Sequence, residues 1–157
     1  MSRRCWLMKS EPEEFSIDTL KKVGVEPWSG VRNYQARNFM RDGMQVGDGV
    51  LFYHSNCDEP GVVGIAEVAS EAYPDPTQFD ARSDYHDPKS TREGPRWLLV
   101  DVRFRRKLAR TITLAELKAS AQLEDFALIQ RGNRLSVLPV TPAQWDFILS
   151  LEKRSAA

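Results

Sequence analysis

The stretch Val46-Gly47-Asp48-Gly49-Val50-Leu51-Phe52-Tyr53-His54-Ser55-Asn56-Cys57-Asp58-Glu59-Pro60-Gly61-Val62-Val63-Gly64-Ile65-Ala66-Glu67-Val68-Ala69 decides the fold class. Val46–Gly49 is a turn, after which Val50–Ser55 is a short apolar run rich in β-formers. Asn56–Gly61 is polar and turn-rich, and Val62–Ala69 is apolar again, so the segment predicts a β-hairpin with a long polar tip. Alternation puts Val50, Phe52 and His54 on one strand face and Leu51, Tyr53 and Ser55 on the other. Both faces carry large groups.

Working outward, Arg4–Met8 reads as a short strand. Ser16 is a good N-cap for a helix over Ile17–Val23, with Phe15 and Leu20 as its hydrophobic staple and Gly24 as its stop. Pro27, Ser29 and Gly30 mark a loop carrying Trp28, and Asn33–Arg41 has helical spacing with Gly43 beyond its end. Asp75–Pro95 predicts an irregular excursion. Trp97–Arg105 alternates, with Leu98, Val100, Val102 and Phe104 facing a core and Asp101, Arg103 and Arg105 facing water. Thr113–Glu116 is a capping box, and Thr141–Gln144 repeats it with Pro142 at the first helical position. Between these helices, Phe126–Ile129 and Arg134–Leu138 predict two strands around the turn Arg131-Gly132-Asn133. Short strands with helices set between them argue an α+β fold, a curled or barrel-like sheet of five to six strands with flanking helices.

The 157 residues suffice for one domain over 1–157, and a hydrophobic share of 41% supports a buried core. Lys plus Arg and Asp plus Glu are 22 each, so no global positive field drives binding to nucleic acid or an anionic membrane. Apolar runs stop at four residues, as in Cys5–Met8. That is far below the ~20 of a membrane span and too short for a signal core. The expectation is a cytoplasmic chain with no membrane partner, whose Cys5 and Cys57 are reduced thiols.

Enzyme signatures such as G-x-S-x-G, the P-loop and H-E-x-x-H are absent from the sequence. His54 and Cys57 are close in sequence, but their spacing across a strand end turns the side chains apart. Asp84, His86 and Asp87 lack the spacing of a metal site, so no metal or cofactor is expected. More informative is Trp28 in a Pro-Trp-Ser-Gly loop, followed by Asn33, Tyr34 and the cations Arg32, Arg37 and Arg41. A stacking surface, an amide for base edges and cations for phosphate are what a reader of a single strand or a flipped base needs. The basic run Arg103, Arg105, Arg106, Lys107 and Arg110 reads equally as a solvated edge strand.

The blocks Trp6-Leu7-Met8-Lys9-Ser10-Glu11-Pro12, Trp28-Ser29-Gly30-Val31-Arg32-Asn33-Tyr34-Gln35-Ala36-Arg37-Asn38 and Gly47–Asn56 resemble the signature of the EVE domain family. Pro60–Val68, Ala72-Tyr73-Pro74-Asp75, Tyr85–Ser90, Pro95-Arg96-Trp97 and Leu135–Val140 continue the resemblance over nearly the whole chain. It implies a PUA-like small β-barrel, related to the YTH domains that read methylated adenine, and modified bases, in particular modified cytosines, as ligands. Lys9, Ser10, Trp28, Ser29, Asn33, Tyr34, Tyr53, His54 and Ser55 fall in the blocks that line the family's pocket. Arg131 is added from Leu128-Ile129-Gln130-Arg131-Gly132, where the sequence departs from the family's Arg-Gln-Gly.

In this reading Trp28 and one of Tyr34 or Tyr53 sandwich the base, while Asn33 and Ser10 read its polar edge. Asn33 and Tyr34 have the alternative role of fastening the loop to the barrel. The expected function is noncatalytic binding of a modified base of DNA or RNA, with any effector protein unspecified. The rivals are a hydrolase or glycosylase using His54 or Glu11, and a protein-interaction module built on the arginine strand.

Overall fold

A computed structural model describes residues 4–153. Its strands are β1 (Cys5–Ser10), β2 (Val25–Pro27), β3 (Gly49–His54), β4 (Gly61–Val68), β5 (Tyr73–Pro74), β6 (Leu98–Leu99), β7 (Asp101–Thr113) and β8 (Val137–Val140). Six of them form a central mixed sheet in the order β2-β7-β4-β3-β1-β8, and β5 with β6 forms a separate two-stranded ribbon. The expected barrel is a half-barrel, with β2 and β8 as the two edges of the sheet.

The hairpin forms as the sequence predicts, β3 pairing antiparallel with β4 from Gly49↔Glu67 to His54↔Gly61. β1 lies parallel to β3, with Lys9 opposite Tyr53 and Ser10 opposite His54. Cores lie on both sheet faces, which is why β3 reads as a nearly continuous apolar run. One gathers Trp6, Met8, Trp28, Val50, Phe52 and Val102 under α1 (Ile17–Val23) and α2 (Tyr34–Asn38). The other gathers Leu7, Leu51, Tyr53, Ile112 and Phe126 under α3 (Leu114–Lys118) and α4 (Pro142–Leu151).

The helix starts follow their caps. Ser16 accepts from the Thr19 amide, and Thr141 with Gln144 completes the capping box of α4. Gly64 of β4 lets α1 dock closely, since a Cβ there would come within 2.4 Å of Ile17 Cδ1. In the segment after Trp28, the α-helix ends at Asn38 and passes into a π-turn over Phe39–Gly43, which packs Phe39 against Trp6 at 5.6 Å between ring centroids.

Two strand expectations change. Phe126–Ile129 is not a strand: a 3₁₀ turn over Ala127–Ile129 buries Leu128 in the second core, and β8 begins only at Val137, pairing with β1. The hairpin around Arg131 therefore gives way to a bonded loop, in which Asn133 Nδ2 donates to the Ala127 carbonyl at 2.7 Å. The Trp97–Arg105 strand divides into β6 and β7, and β7 extends to Thr113 because β4 supplies pairing along it. None of its basic side chains is a free cation. Arg103 and Arg105 both pair with Glu67, Arg106 with Glu152, Lys107 with Asp18 and Arg110 with Glu116. No helix among the described residues is long and apolar enough to cross a membrane.

Candidate nucleic-acid interface

Where the parallel pair β1 and β3 ends, their last residues open into a cleft of about 690 Å³. Lys9, Ser10 and Ser55 contribute from the strand ends, and Ser55 N–H donates to the Ser10 carbonyl at 3.0 Å, tying the two ends together. Glu11, Glu14 and Phe15 come from the turn after β1, whose position is fixed by Ser10 Oγ donating to the Phe15 carbonyl at 2.6 Å. The opposite wall is Glu26, Pro27, Trp28, Ser29, Gly30 and Val31, running out of edge strand β2. Asp84, Tyr85, Arg134 and Ser136 complete the lining, Tyr85 against Gly30 and Ser136 beside Lys9, whose backbone N–H donates to the Ser136 carbonyl at 2.8 Å.

Trp28 is 8% exposed and packs edge-on against Phe52 at 5.5 Å and Phe15 at 6.3 Å between ring centroids. It is at once a member of the core and a wall of the cleft. Its backbone N–H donates to the Val100 carbonyl at 2.9 Å, so the loop continues the β2–β7 ladder by one residue before it turns away. The turn is held by Asp75, whose side chain is fully buried. Its carboxylate accepts from Gly30 N–H at 2.8 Å, from Arg32 Nη1 at 3.1 Å, and from Thr77 N–H and Oγ1–H at 2.8 and 2.6 Å. The first residue of the irregular excursion thus clamps the Trp28 loop.

Tyr85, further along the excursion, lies over Gly30. A Cβ on Gly30 would come within 2.8 Å of the tyrosine ring, and Gly30 has φ +89°, so both backbone shape and close approach require glycine there. Arg32 reinforces this contact, donating from Nη2 and Nε to the Tyr85 carbonyl at 2.7 and 3.0 Å. Burial pushes the Tyr85 hydroxyl up in pKa, and the nearby Glu14, Asp84 and Glu11 push it further, so it stays a neutral donor.

Electrostatically the cleft is acidic, with Glu11, Glu14, Glu26 and Asp84 against Lys9 and Arg134. Burial pushes the Lys9 ammonium down and the Glu26 carboxyl up from their ordinary values. A lining with this excess of carboxylates repels a phosphate and offers acceptors to a neutral group that carries donors.

The structure brings together Lys9, Ser10, Trp28, Ser29 and Ser55 of the residues singled out from sequence. The others are placed elsewhere. Asn33 is the N-cap of α2, its Oδ1 accepting from Ala36 N–H at 3.0 Å. Tyr34 stacks on Trp97 at 4.7 Å, and the Arg37 guanidinium lies 4.7 Å over the same tyrosine ring, so Tyr34 fastens the loop rather than facing the cleft. Tyr53 is 3% exposed in the core on the far side of the sheet, because alternation turns it away from Phe52. The sandwich of Trp28 with Tyr34 or Tyr53 is therefore not what the fold assembles; Phe15 and Tyr85 are the aromatic neighbours.

His54 Nε2 accepts from Ile17 N–H at 3.1 Å, capping α1, and burial lowers its pKa, keeping it neutral as that bond requires. The ring is engaged structurally, outside the cleft lining. Arg131 is exposed on the loop before β8 and does not line the cleft, whereas Arg134, three residues on, does. Of the residues that sequence reasoning missed, Glu26 was the most findable, two positions before Trp28 on a strand and so on the same face. Tyr85 lies in a block that resembles the family, but its place over the cleft is set by a long-range contact, Arg32 donating to its carbonyl, that no local pattern shows.

Fold and cleft together define a class: an α+β half-barrel with helices on both faces and a tryptophan-walled polar cleft at the ends of a parallel strand pair. The EVE domain profile matches residues 4–151, and the chain belongs to the EVE domain family. Human Thymocyte nuclear protein 1 is 46% identical over 168 aligned residues, covering 95% of this chain and 74% of that protein. A crystal structure of a Pseudomonas syringae protein is 51% identical with a TM-score of 0.92, covering 94% of this chain and 99% of the other. Human THYN1, in a crystal structure in complex with 5-methylcytosine-containing DNA, is 44% identical with a TM-score of 0.92, covering 97% of this chain and 99% of the other.

Proposed function

We propose that this protein is a noncatalytic reader that takes a modified cytosine, swung out of a nucleic-acid strand, into the cleft beside Trp28. The observation that carries the reading is the likeness to human THYN1, whose structure holds 5-methylcytosine-containing DNA, over 97% of this chain. The cleft supports it chemically. Trp28, Phe15, Pro27 and Val31 supply apolar surface for a base and its methyl group, while serines and carboxylates supply acceptors for its edge. The acidic lining leaves the phosphates outside, so backbone contacts fall to exposed cations at the rim such as Arg134, and binding weakens as salt rises. Catalysis by His54 has no support in this geometry, since its ring caps α1.

Titration of the protein into oligonucleotides differing only by C or 5-methylcytosine at one position tests the proposal. DNA and RNA versions, single- and double-stranded, identify the preferred context. Burying one methyl is worth about 0.8 kcal/mol, so the methylated strand binds about fourfold tighter or better. Equal affinity for the two bases overturns the reading. Nucleoside analysis of the recovered strand returns 5-methylcytosine intact; its loss identifies an enzyme instead.

A further inference from the structure

We infer that Glu26 accepts a hydrogen bond from the exocyclic amino group of the bound base, and that this contact makes the cleft reject thymine. The inference rests on the reader function proposed above. Thymine and 5-methylcytosine carry the same methyl group on the same ring position, and they differ only along the edge bearing the 4-substituent and N3. A pocket that recognised the methyl and the aromatic face alone would be occupied by thymine wherever the substrate is DNA. Discrimination requires an acceptor facing the 4-amino group of cytosine, because such an acceptor repels the 4-carbonyl oxygen of thymine.

Glu26 is the acceptor the cleft keeps for this purpose. Alternation along β2 places it on the same face as Trp28, and both line the cleft. No hydrogen bond or ion pair among the described residues reaches its carboxylate, and it is half-buried beside the tryptophan. Burial alone raises its pKa, with no cation offsetting the cost, so a donor from the ligand supplies the interaction the protein leaves out. The other carboxylates are placed differently. Glu11 already accepts from Asn56 Nδ2 at 2.8 Å, and Glu14 and Asp84 are exposed at the rim, where water competes for them.

The test compares wild type, Glu26→Gln and Glu26→Asp on single-stranded DNA oligonucleotides identical except for 5-methylcytosine or thymine at one position. Wild type is expected to prefer 5-methylcytosine by about tenfold to hundredfold, the discrimination a good edge contact gives. Glu26→Gln is nearly isosteric and presents N–H as well as C=O, so the preference falls to within about threefold. Glu26→Asp keeps the charge but withdraws it by one methylene, which weakens 5-methylcytosine binding and leaves thymine binding unchanged. Thermal melting checks that each variant is folded. A wild type that binds 5-methylcytosine over cytosine yet accepts thymine equally overturns the role of Glu26 and leaves the reader function standing. Folded variants that both keep the wild-type ratio overturn that role as well. A wild type that does not distinguish methylated from unmethylated cytosine overturns the reader function and this inference with it.

Discussion

Replacing Trp28 by alanine separates the two roles that its position gives it. The side chain is 8% exposed and makes edge-to-face contacts with Phe52 and Phe15, so its removal leaves a cavity between β2 and the central strands. Truncation of a buried tryptophan costs about 3–5 kcal/mol. At about 2–4 °C per kcal/mol for a chain of this size, the melting temperature falls by roughly 6–20 °C. Losing one stacking wall further weakens binding of a 5-methylcytosine oligonucleotide by about 1–3 kcal/mol, roughly tenfold to hundredfold. The assay pairs thermal melting with titration well below the variant's melting temperature, so that unfolding does not masquerade as lost affinity. Trp28→Phe, which keeps an aromatic ring but shortens it, is expected to restore most of the stability and only part of the affinity. If Trp28→Ala loses less than about 1 kcal/mol of stability, the indole does not pack as a core side chain. If it melts low but binds with unchanged affinity, Trp28 is a core residue and no more.

Asp75→Asn removes the charge that holds Gly30, Arg32 and Thr77, and denaturant unfolding should show a loss of about 2–4 kcal/mol, less than for a fully buried pair because Arg32 keeps 22% of its side chain exposed. A change under about 0.5 kcal/mol would show that the clamp is not energetically important. Gly30→Ala forces a Cβ onto a φ of +89° and displaces the Tyr85 ring; because that ring can swing outward, the stability cost is about 1 kcal/mol while ligand affinity drops more, which parallel melting and titration check. His54 has its pKa lowered from 6.5 by burial, so the folded protein binds its proton less readily than the unfolded chain. Its contribution to stability is full above pH 6.5 and is lost as pH falls from there through the lowered folded value. Melting curves between about pH 5 and 7.5, above the range where unperturbed carboxylates titrate, should show this loss in wild type and not in His54→Gln.

Much of the local structure was legible in the chain itself. Ser16, Thr113 and Thr141 mark helix starts because an N-cap is a bond between near neighbours, and each accepts from the amide three residues on. The hairpin of β3 and β4 was equally legible, since alternation and turn chemistry act over a few residues. The Phe126–Ile129 segment failed for the complementary reason. A four-residue apolar run satisfies a strand or a buried 3₁₀ turn alike, and what chose the turn was the second core, into which Leu128 packs. The basic run of β7 likewise reads as free charge until Glu67, Asp18 and Glu152, all remote in sequence, arrive to neutralise it.

The candidate site divides along the same line. The sequence by itself determined the local geometry of the strand ends and of the Pro-Trp-Ser-Gly loop; that Lys9, Ser10, Trp28, Ser29 and Ser55 share one surface was legible only through the resemblance to the EVE domain family, because local geometry does not say which segments meet. Only the tertiary structure decided that Tyr53 turns into the far core, that Tyr34 stacks on Trp97, and that Phe15, Tyr85 and Arg134 take their places around the cleft. The physical reason is that a cleft is made where separate segments fail to fill the space between them. Which segments meet there is set by long-range pairing, here the parallel register of β1 on β3 and the Asp75 clamp on Gly30, and neither leaves a trace in any short window of sequence.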